Sequence, residues 1–345
     1  MLSDHPMVSV VMSVYNGECY LQQSVDSILN QTFTNFELIV IDDGSTDRSL
    51  EILRSYEDKR IVLVCNEKNI GLTKSLNKGL SLARGKYIAR QDADDISLNN
   101  RFECQVKYLE ANSAVGLLGT SYYLINAEGQ HLKLMSPAQS DTEIKWKLLF
   151  ANTFCHSSIM FRKQLWETYQ FLYDENLVYS QDYELWCRFA ETTMLANLPT
   201  PLVMYRTHSM SISTSQHALQ MQILAKISAT QIARLLPQDC ISEEKFISLR
   251  HCYNCDYKYP DSLSFGPVLL VLFRAFEKRA DIDRKVISAI QTKWITKLVK
   301  TIPVEYWNII IQSGLLKHIF KINAVAVIGG LTSRILPNLR RFKVN

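Results

Sequence analysis

The sequence predicts an α/β fold: a mostly parallel sheet flanked by helices, followed by a helical C-terminal region. Three observations carry the prediction. Apolar runs of four to seven residues alternate with amphipathic stretches over residues 1–120. Several of these runs end directly in acidic, turn-forming residues. From about Ser215 onward the patterns are helical, with no clear strand.

The elements follow in order. "VSVVMSV" (8–14) is a β-rich run, followed by a helical pattern from about Glu18 to Asn30. "FELIVI" (36–41) predicts the next strand, 47–56 a helix, "RIVLVC" (60–65) a strand, 72–83 a helix and "KYIAR" (86–90) a fourth strand. Strands this uniformly apolar are buried on both faces, which helical crossovers between parallel strands provide. Shorter strands are expected over 115–135, with a turn at "NAEGQ" (126–130). A helix is expected at 140–150, a strand at "SSIMF" (157–161) and a helix at "QDYELWCRFAE" (181–191). The expected division is an α/β domain over 1–214 and a helical region over 215–345.

Composition narrows the function classes. With 345 residues, 47% hydrophobic and 21% charged, the chain is globular and long enough for one domain and an appendage. A net charge of +4 gives no case for nucleic acid. The eight cysteines fall mostly within apolar patterns, so buried, reduced thiols are expected. Cys252 and Cys255 form a single CxxC, and no second pair completes a zinc site. No leader peptide and no run of 18 apolar residues is visible.

Acid at the strand ends is the informative feature. In open α/β sheets, ligands bind beyond the carboxyl ends of the strands. Asp42 and Asp43 follow one strand, and Asp92, Asp94 and Asp95 follow another. Two carboxylates about 6 Å apart repel by roughly 3 kcal/mol at an effective dielectric near 20. A hard divalent cation would relieve that repulsion while taking its other ligands from phosphate and water. The competing reading of "RQDADD" is a solvated acidic loop capping a helix that begins near Leu98. In "IVIDDGSTD", Gly44 permits a tight turn, Ser45 or Thr46 is placed to cap the next helix, and Asp47 suits that helix's positive end.

The stretches "VSVVMSVYNGECYLQQSVDSILNQTFTNFELIVIDDGSTDRS" and "NIGLTKSLNKGLSLARGKYIARQDADDI" resemble the opening of family 2 inverting glycosyltransferases of GT-A fold. The nearest resemblance is to bacterial enzymes that extend lipooligosaccharide, capsule or O-antigen glycans, the β-1,3-N-acetylglucosaminyltransferases included. It covers about residues 7–212. It implies that Ser13, Val14 and Tyr15 line the nucleotide pocket and that Asp43 hydrogen-bonds the uracil. It implies that Asp92, Ala93 and Asp94 form the metal–diphosphate motif, Asp94 the direct ligand of Mn2+ or Mg2+ and Asp92 nearer the donor ribose or sugar. His208, in "MYRTHSMS", becomes a third candidate metal contact; its plainer reading is a surface residue. His156 also matches a family position near the acceptor, although a satisfied interior histidine is the better reading.

"YSQDYELWCRF" resembles the family's later acidic motif, with Gln181 in place of the usual Glu. Asp182 would then be the general base, taking the proton from the attacking hydroxyl. As a plain helix feature it is an N-terminal carboxylate, with Leu185, Trp186 and Phe189 facing inward. Many members carry Arg where this chain has Leu76, and Lys74 is the substitute cation considered. The resemblance implies transfer of a hexose or N-acetylhexosamine from a UDP-sugar donor to a glycan or lipid-linked glycan acceptor. It places the protein in the cytoplasm, peripheral at the inner face of the plasma membrane. "FGPVLLVLF" (265–273) and "INAVAVIGGL" (322–331), flanked by basic residues, are the segments expected to touch the membrane. Packing on the catalytic domain or a second subunit is the alternative. Two rival functions are a nucleotidyltransferase, which would need a glycine-rich basic loop that "SVYNGECY" lacks, and a non-catalytic binding module, which predicts a dispensable Asp182.

Overall fold

A computed structural model describes residues 5–209, 211, 216–236, 248–250, 252–253 and 265–301. Residues 1–224 and 225–345 form two compact units.

The first unit is built on a nine-stranded sheet. Its opening strands are β1 (Val8–Val14), β2 (Phe36–Asp42), β3 (Ile61–Cys65) and β4 (Tyr87–Arg90). They pair in parallel, in the spatial order β3-β2-β1-β4. Every residue of β1, β2 and β4 is buried. Helices α1 (Leu21–Leu29), α2 (Ser49–Arg54) and α3 (Leu72–Leu82) make the crossovers. Val8, Val10 and Met12 of β1 share one core with Val25 and Ile28 of α1. Each such side chain contributes about 1.5–3 kcal/mol by leaving water. Among the buried polar residues of these strands, Ser9 donates to Glu37 at 2.6 Å, and Arg84 pairs with the same carboxylate at 2.6 Å.

The chain steps outward from β1 through β2 to β3, then returns to the other side of β1 as β4. This reversal opens a crevice beyond the carboxyl ends of β1 and β4, where α/β sheets bind ligands.

Past β4 the sheet becomes mixed. The remaining strands are β5 (Ile96–Ser97), β6 (Val115–Ile125), β7 (His131–Met135), β8 (Met160–Arg162) and β9 (Met194–Arg206). β8 is antiparallel to β4 and β6, β9 runs parallel to β6, and two-residue β5 pairs antiparallel with β9. The turn expected at "NAEGQ" is present, closed by Gly129 N–H to Asn126 O at 3.0 Å, and joins β6 to β7. Helices α4 (Arg101–Ala111), α5 (Asp141–Leu148), α6 (Lys163–Tyr169) and α7 (Gln181–Thr192) complete this part.

Two local expectations are corrected. Ser45 and Thr46 do not cap α2; they bond Asn16, while Asp47 accepts the Ser49 N–H at 2.9 Å. Among the six described cysteines, Cys155, Cys187 and Cys252 are buried, but Cys19 and Cys65 are exposed. Cys65 ends β3, an edge strand whose side chains are only half covered.

Helix α8 (His217–Ala233) follows the sheet in the chain. In the second unit, α9 (Gly266–Glu277) buries Leu269, Leu270, Leu272, Phe273 and Phe276. Helix α10 (Arg284–Thr301) buries Ile287, Trp294, Ile295 and Leu298. The Phe273 and Trp294 rings lie 6.0 Å apart, and Trp294 Nε1 donates to Cys252 O at 3.3 Å. Most of the "FGPVLLVLF" side chains expected at a membrane are thus buried or half-buried, Val271 being an exposed exception. "INAVAVIGGL" and Cys255 lie outside the described residues. No described helix is long and apolar enough to cross a membrane.

Candidate active site

The Asp92–Asp95 loop leaves β4 at the crevice and enters β5. Because β5 pairs with β9, the loop is clamped against the end of β9. Arg206, the last residue of β9, does most of the clamping. Its N–H donates to Asp95 Oδ1 at 2.8 Å, its Nε to Asp94 O at 2.9 Å and its Nη1 to Ala127 O at 2.8 Å. Its guanidinium lies 4.5 Å from the Tyr20 ring centroid. Arg90 pairs with Asp92, and Ser157 donates to the other oxygen of Asp92 at 2.9 Å. Arg101 reaches Arg90 O and Gln91 Oε1. Arg90, Arg101 and Arg206 are all buried, and of the three only the Arg90 guanidinium pairs with an aspartate of the loop, Asp92. The acid repulsion seen in the sequence is thus answered from inside the protein at Asp92, and persists at Asp94 and Asp95.

The three acids are held differently. Burial acts to raise the Asp92 carboxyl, but Arg90, His156, Ser157 and Arg101 outweigh it and hold it below its ordinary value. Burial and then the charge of Asp92 push Asp94 up, against the pull of His208. Burial, reinforced by Asp94 and Asp92, lifts fully buried Asp95 well above the carboxylate range. Asp95 is therefore a structural acid locked to β9, whereas Asp92 and Asp94 keep 25% and 33% of their side chains exposed toward the crevice.

A cavity of about 350 Å³ opens there. Asp92, Asp94, His156, Gln181 and Asp182 line it, with Asn152, Tyr122, Tyr205 and Phe154. The fold thus brings together acids about ninety positions apart in the chain. Asp182 stands in the first turn of α7, behind Ser180, whose φ of 57° is rare for a residue with a side chain. Leu185, Trp186 and Phe189 on the same helix are buried, which anchors the acid. His156 Nε2 bonds the Tyr173 hydroxyl at 2.8 Å; burial, then Arg90, hold its pKa down.

His208 follows β9 and its Nε2 lies 3.0 Å from Asp94 Oδ2, while its buried Nδ1 has no partner. Among the described residues no group of three or more His, Cys, Asp or Glu is arranged to hold a metal. One carboxylate whose charge is disfavoured by its surroundings, with one imidazole beside it, nevertheless fits a divalent cation that takes its remaining ligands from diphosphate and water.

Other residues singled out in the sequence lie outside this cavity. Ser13 and Val14 are buried at the tip of β1, Tyr15 is 49% exposed just beyond it, and half-buried Ala93 packs on the core. Asp43, at the tip of β2, accepts from Asn66 Nδ2 at 2.8 Å, Ile70 N–H at 2.9 Å and Gly71 N–H at 2.9 Å. β1 lies between β2 and β4, so Asp43 is displaced from the β4 acids by two strand spacings, about 10 Å. Leu76 is fully buried and Lys74 exposed, while Lys78, one turn further on, donates to Asn66 at 2.7 Å. The N–H groups of Asn16, Gly17 and Glu18 are taken by Ser45, Ser49 and Asp47. The loop after β1 is therefore not an open phosphate cradle, as a nucleotidyltransferase would need. Sequence reasoning missed Arg206, Ser157 and Asn152; for Arg206 the only available signal was its place beside His208 in "MYRTHSMS".

The family model for glycosyl transferase family 2 matches residues 9–169. A Haemophilus influenzae protein described as an uncharacterized glycosyltransferase is 35% identical over 266 residues, 73% of this chain and 81% of that protein. This chain belongs to glycosyl transferase family 2. Another member-like relative, the putative glycosyltransferase EpsE of Bacillus subtilis, is 38% identical over 194 residues, 55% of this chain and 69% of that protein. The crystal structure of S. aureus TarS 1-349 in complex with UDP-GlcNAc superposes with a TM-score of 0.53 at 15% identity, covering 96% of this chain and 92% of that one. At that identity the likeness speaks for the fold, and it is the GT-A arrangement of a family 2 glycosyltransferase.

Proposed function

We propose that this glycosyltransferase is inverting and transfers a hexose or N-acetylhexosamine from a UDP-sugar to a hydroxyl of a glycan, free or lipid-linked. The observation that supports this most is the meeting of Asp92, Asp94 and Asp182 on one cavity at the sheet's reversal point. The crystals of TarS with UDP and with UDP-GlcNAc favour a uridine nucleotide as donor.

The roles follow from the surroundings. Asp94 and His208 would hold Mn2+ or Mg2+. Bound there, the cation supplies Lewis-acid stabilisation of the departing diphosphate, so no carboxylic acid is needed to protonate the leaving group. Asp92, kept ionised by Arg90 and oriented by Ser157, faces the donor ribose or sugar. Asp182, across the cavity, accepts the proton of the acceptor hydroxyl as it attacks the anomeric carbon. Ser13, Val14, Tyr15 and Asp43, at the tips of β1 and β2, form the side toward the base; Asp43 Oδ1 already accepts two bonds, while Oδ2 accepts one and keeps a lone pair for a ring N–H. The setting we favour is cell-surface polysaccharide assembly at the cytoplasmic face of the membrane, with residues 1–214 doing the chemistry and 215–345 docking to membrane or subunit.

The test is a panel of UDP-sugars with Mn2+ or Mg2+, scored for UDP release with and without glycan acceptors. One UDP-sugar should turn over in a metal-dependent way. Asp182→Asn should abolish transfer while preserving UDP binding. Intact transfer in Asp182→Asn removes the base assignment, and a panel with no turnover favours a binding module.

A further inference from the structure

We propose that Asn152 is the positioning residue for the general base, fixing which oxygen of Asp182 receives the acceptor's proton. The inference rests on the reading of Asp182 as that base. Asn152 Nδ2 donates to Asp182 Oδ2 at 2.7 Å. The same side chain turns its own oxygen the other way, where Oδ1 accepts the Phe154 N–H at 3.0 Å. That second bond fixes the amide orientation, because a flipped amide would place its NH2 against an N–H. Asn152 can therefore present only a donor to Asp182.

One consequence follows. A neutral donor on Oδ2 holds the carboxylate plane and leaves Oδ1 with both lone pairs against one on Oδ2, so Oδ1 is the freer acceptor for the proton. A carboxylate in the first turn of α7 would otherwise rotate freely about χ2, a broad torsion. Both residues line the cavity, so the contact forms part of its wall. The other titratable groups facing Asp182 are His156 and Tyr173, which sense its charge, with Asp92 and Asp94 further along the same cavity.

Asn152→Asp is the discriminating variant. It retains the size and the oxygen that holds the Phe154 N–H, but puts a like charge where Asp182 had a donor. The measurements are the pH profile of kcat/KM for transfer, calorimetric UDP affinity with Mn2+, and Tm. The expected result is a loss of at least tenfold in kcat/KM at neutral pH, an acid limb moved up by about one pH unit, and UDP affinity within twofold of the parent. Asn152→Ser, short and uncharged, should lower kcat with a smaller shift, and it serves if the Asp variant does not fold. An unmoved acid limb in a folded variant overturns the positioning role. Full transfer in Asp182→Asn instead overturns the base reading beneath it, so the two failures are distinguishable.

Discussion

Two parallel strands that flank β1, namely β2 and β4, end in aspartates, and the fold uses the acids in opposite ways. At the β2 tip, Asp43 is 2% exposed and spends its carboxylate on the protein, holding Asn66 and the backbone at 70–71. At the β4 tip, buried arginines and Ser157 hold the loop from behind, while Asp92 and Asp94 face an open cavity. A strand-end carboxylate thus becomes chemical when its supports come from the core side and leave an oxygen toward the crevice. It is chiefly a brace when the next loop folds over it, as at Asp43, where one Oδ2 lone pair is left for a ligand.

Substitutions at the two tips should dissociate stability from activity. The largest activity effect is expected for Asp94→Ala, which should cut transfer about a thousandfold and remove metal-dependent UDP binding, with Tm nearly unchanged. Measured UDP release and a thermal melt decide it; a large fall in Tm would make this tip architectural too. Next comes Arg206→Met, which keeps the backbone N–H on Asp95 but removes the side-chain bonds to Asp94 O, Ala127 O and Gln23. By leaving buried carbonyls unpaired it should cost about 2–3 kcal/mol of stability in urea unfolding. Asp43→Ala strands the Ile70 N–H, while the Gly71 N–H keeps its bond to Asn69 Oδ1, and about 1–3 kcal/mol should be lost. Transfer at saturating UDP-sugar should fall far less than in Asp94→Ala. An Asp43→Ala protein as stable as the parent would break the contrast.

The smallest effect tests the staple between the loops after β1 and β2. Burial works against the Asp47 charge, yet bonds from Ser49 and Glu18 outweigh it and hold its pKa below the ordinary value. Stability from this group is complete above its unfolded pKa, near 4, and is lost as pH falls through the lower folded value. Asp47→Asn should therefore flatten the stability curve below about pH 4 and leave neutral-pH transfer intact, as acid titration of unfolding will show.

Much of the parallel half was legible in the sequence. β1 spans residues 8–14 as expected, and β2, β3 and β4 lie within a residue of the expected bounds, because a strand buried on both faces must be apolar throughout. The acids were legible as residues, since nothing in a hydrophobic pattern calls for three aspartates at a strand end. The mixed half was harder to read. β9 runs thirteen residues with Pro199 and Pro201 inside it, and β5 is only two residues long, so neither shows a clear period.

The sequence by itself determined the α/β class, the order of the first elements and which carboxylates were available for chemistry, since periodicity and charge are local properties of a chain. Only the tertiary structure decided that Asp182 meets Asp92 and Asp94, that Arg206 holds their loop, that Asn152 bonds Asp182 and that Asp43 is occupied by its neighbours. Those outcomes depend on contacts between segments up to 112 positions apart. No local pattern encodes such pairings, because they are fixed by strand order, register and the requirement that buried polar groups find partners.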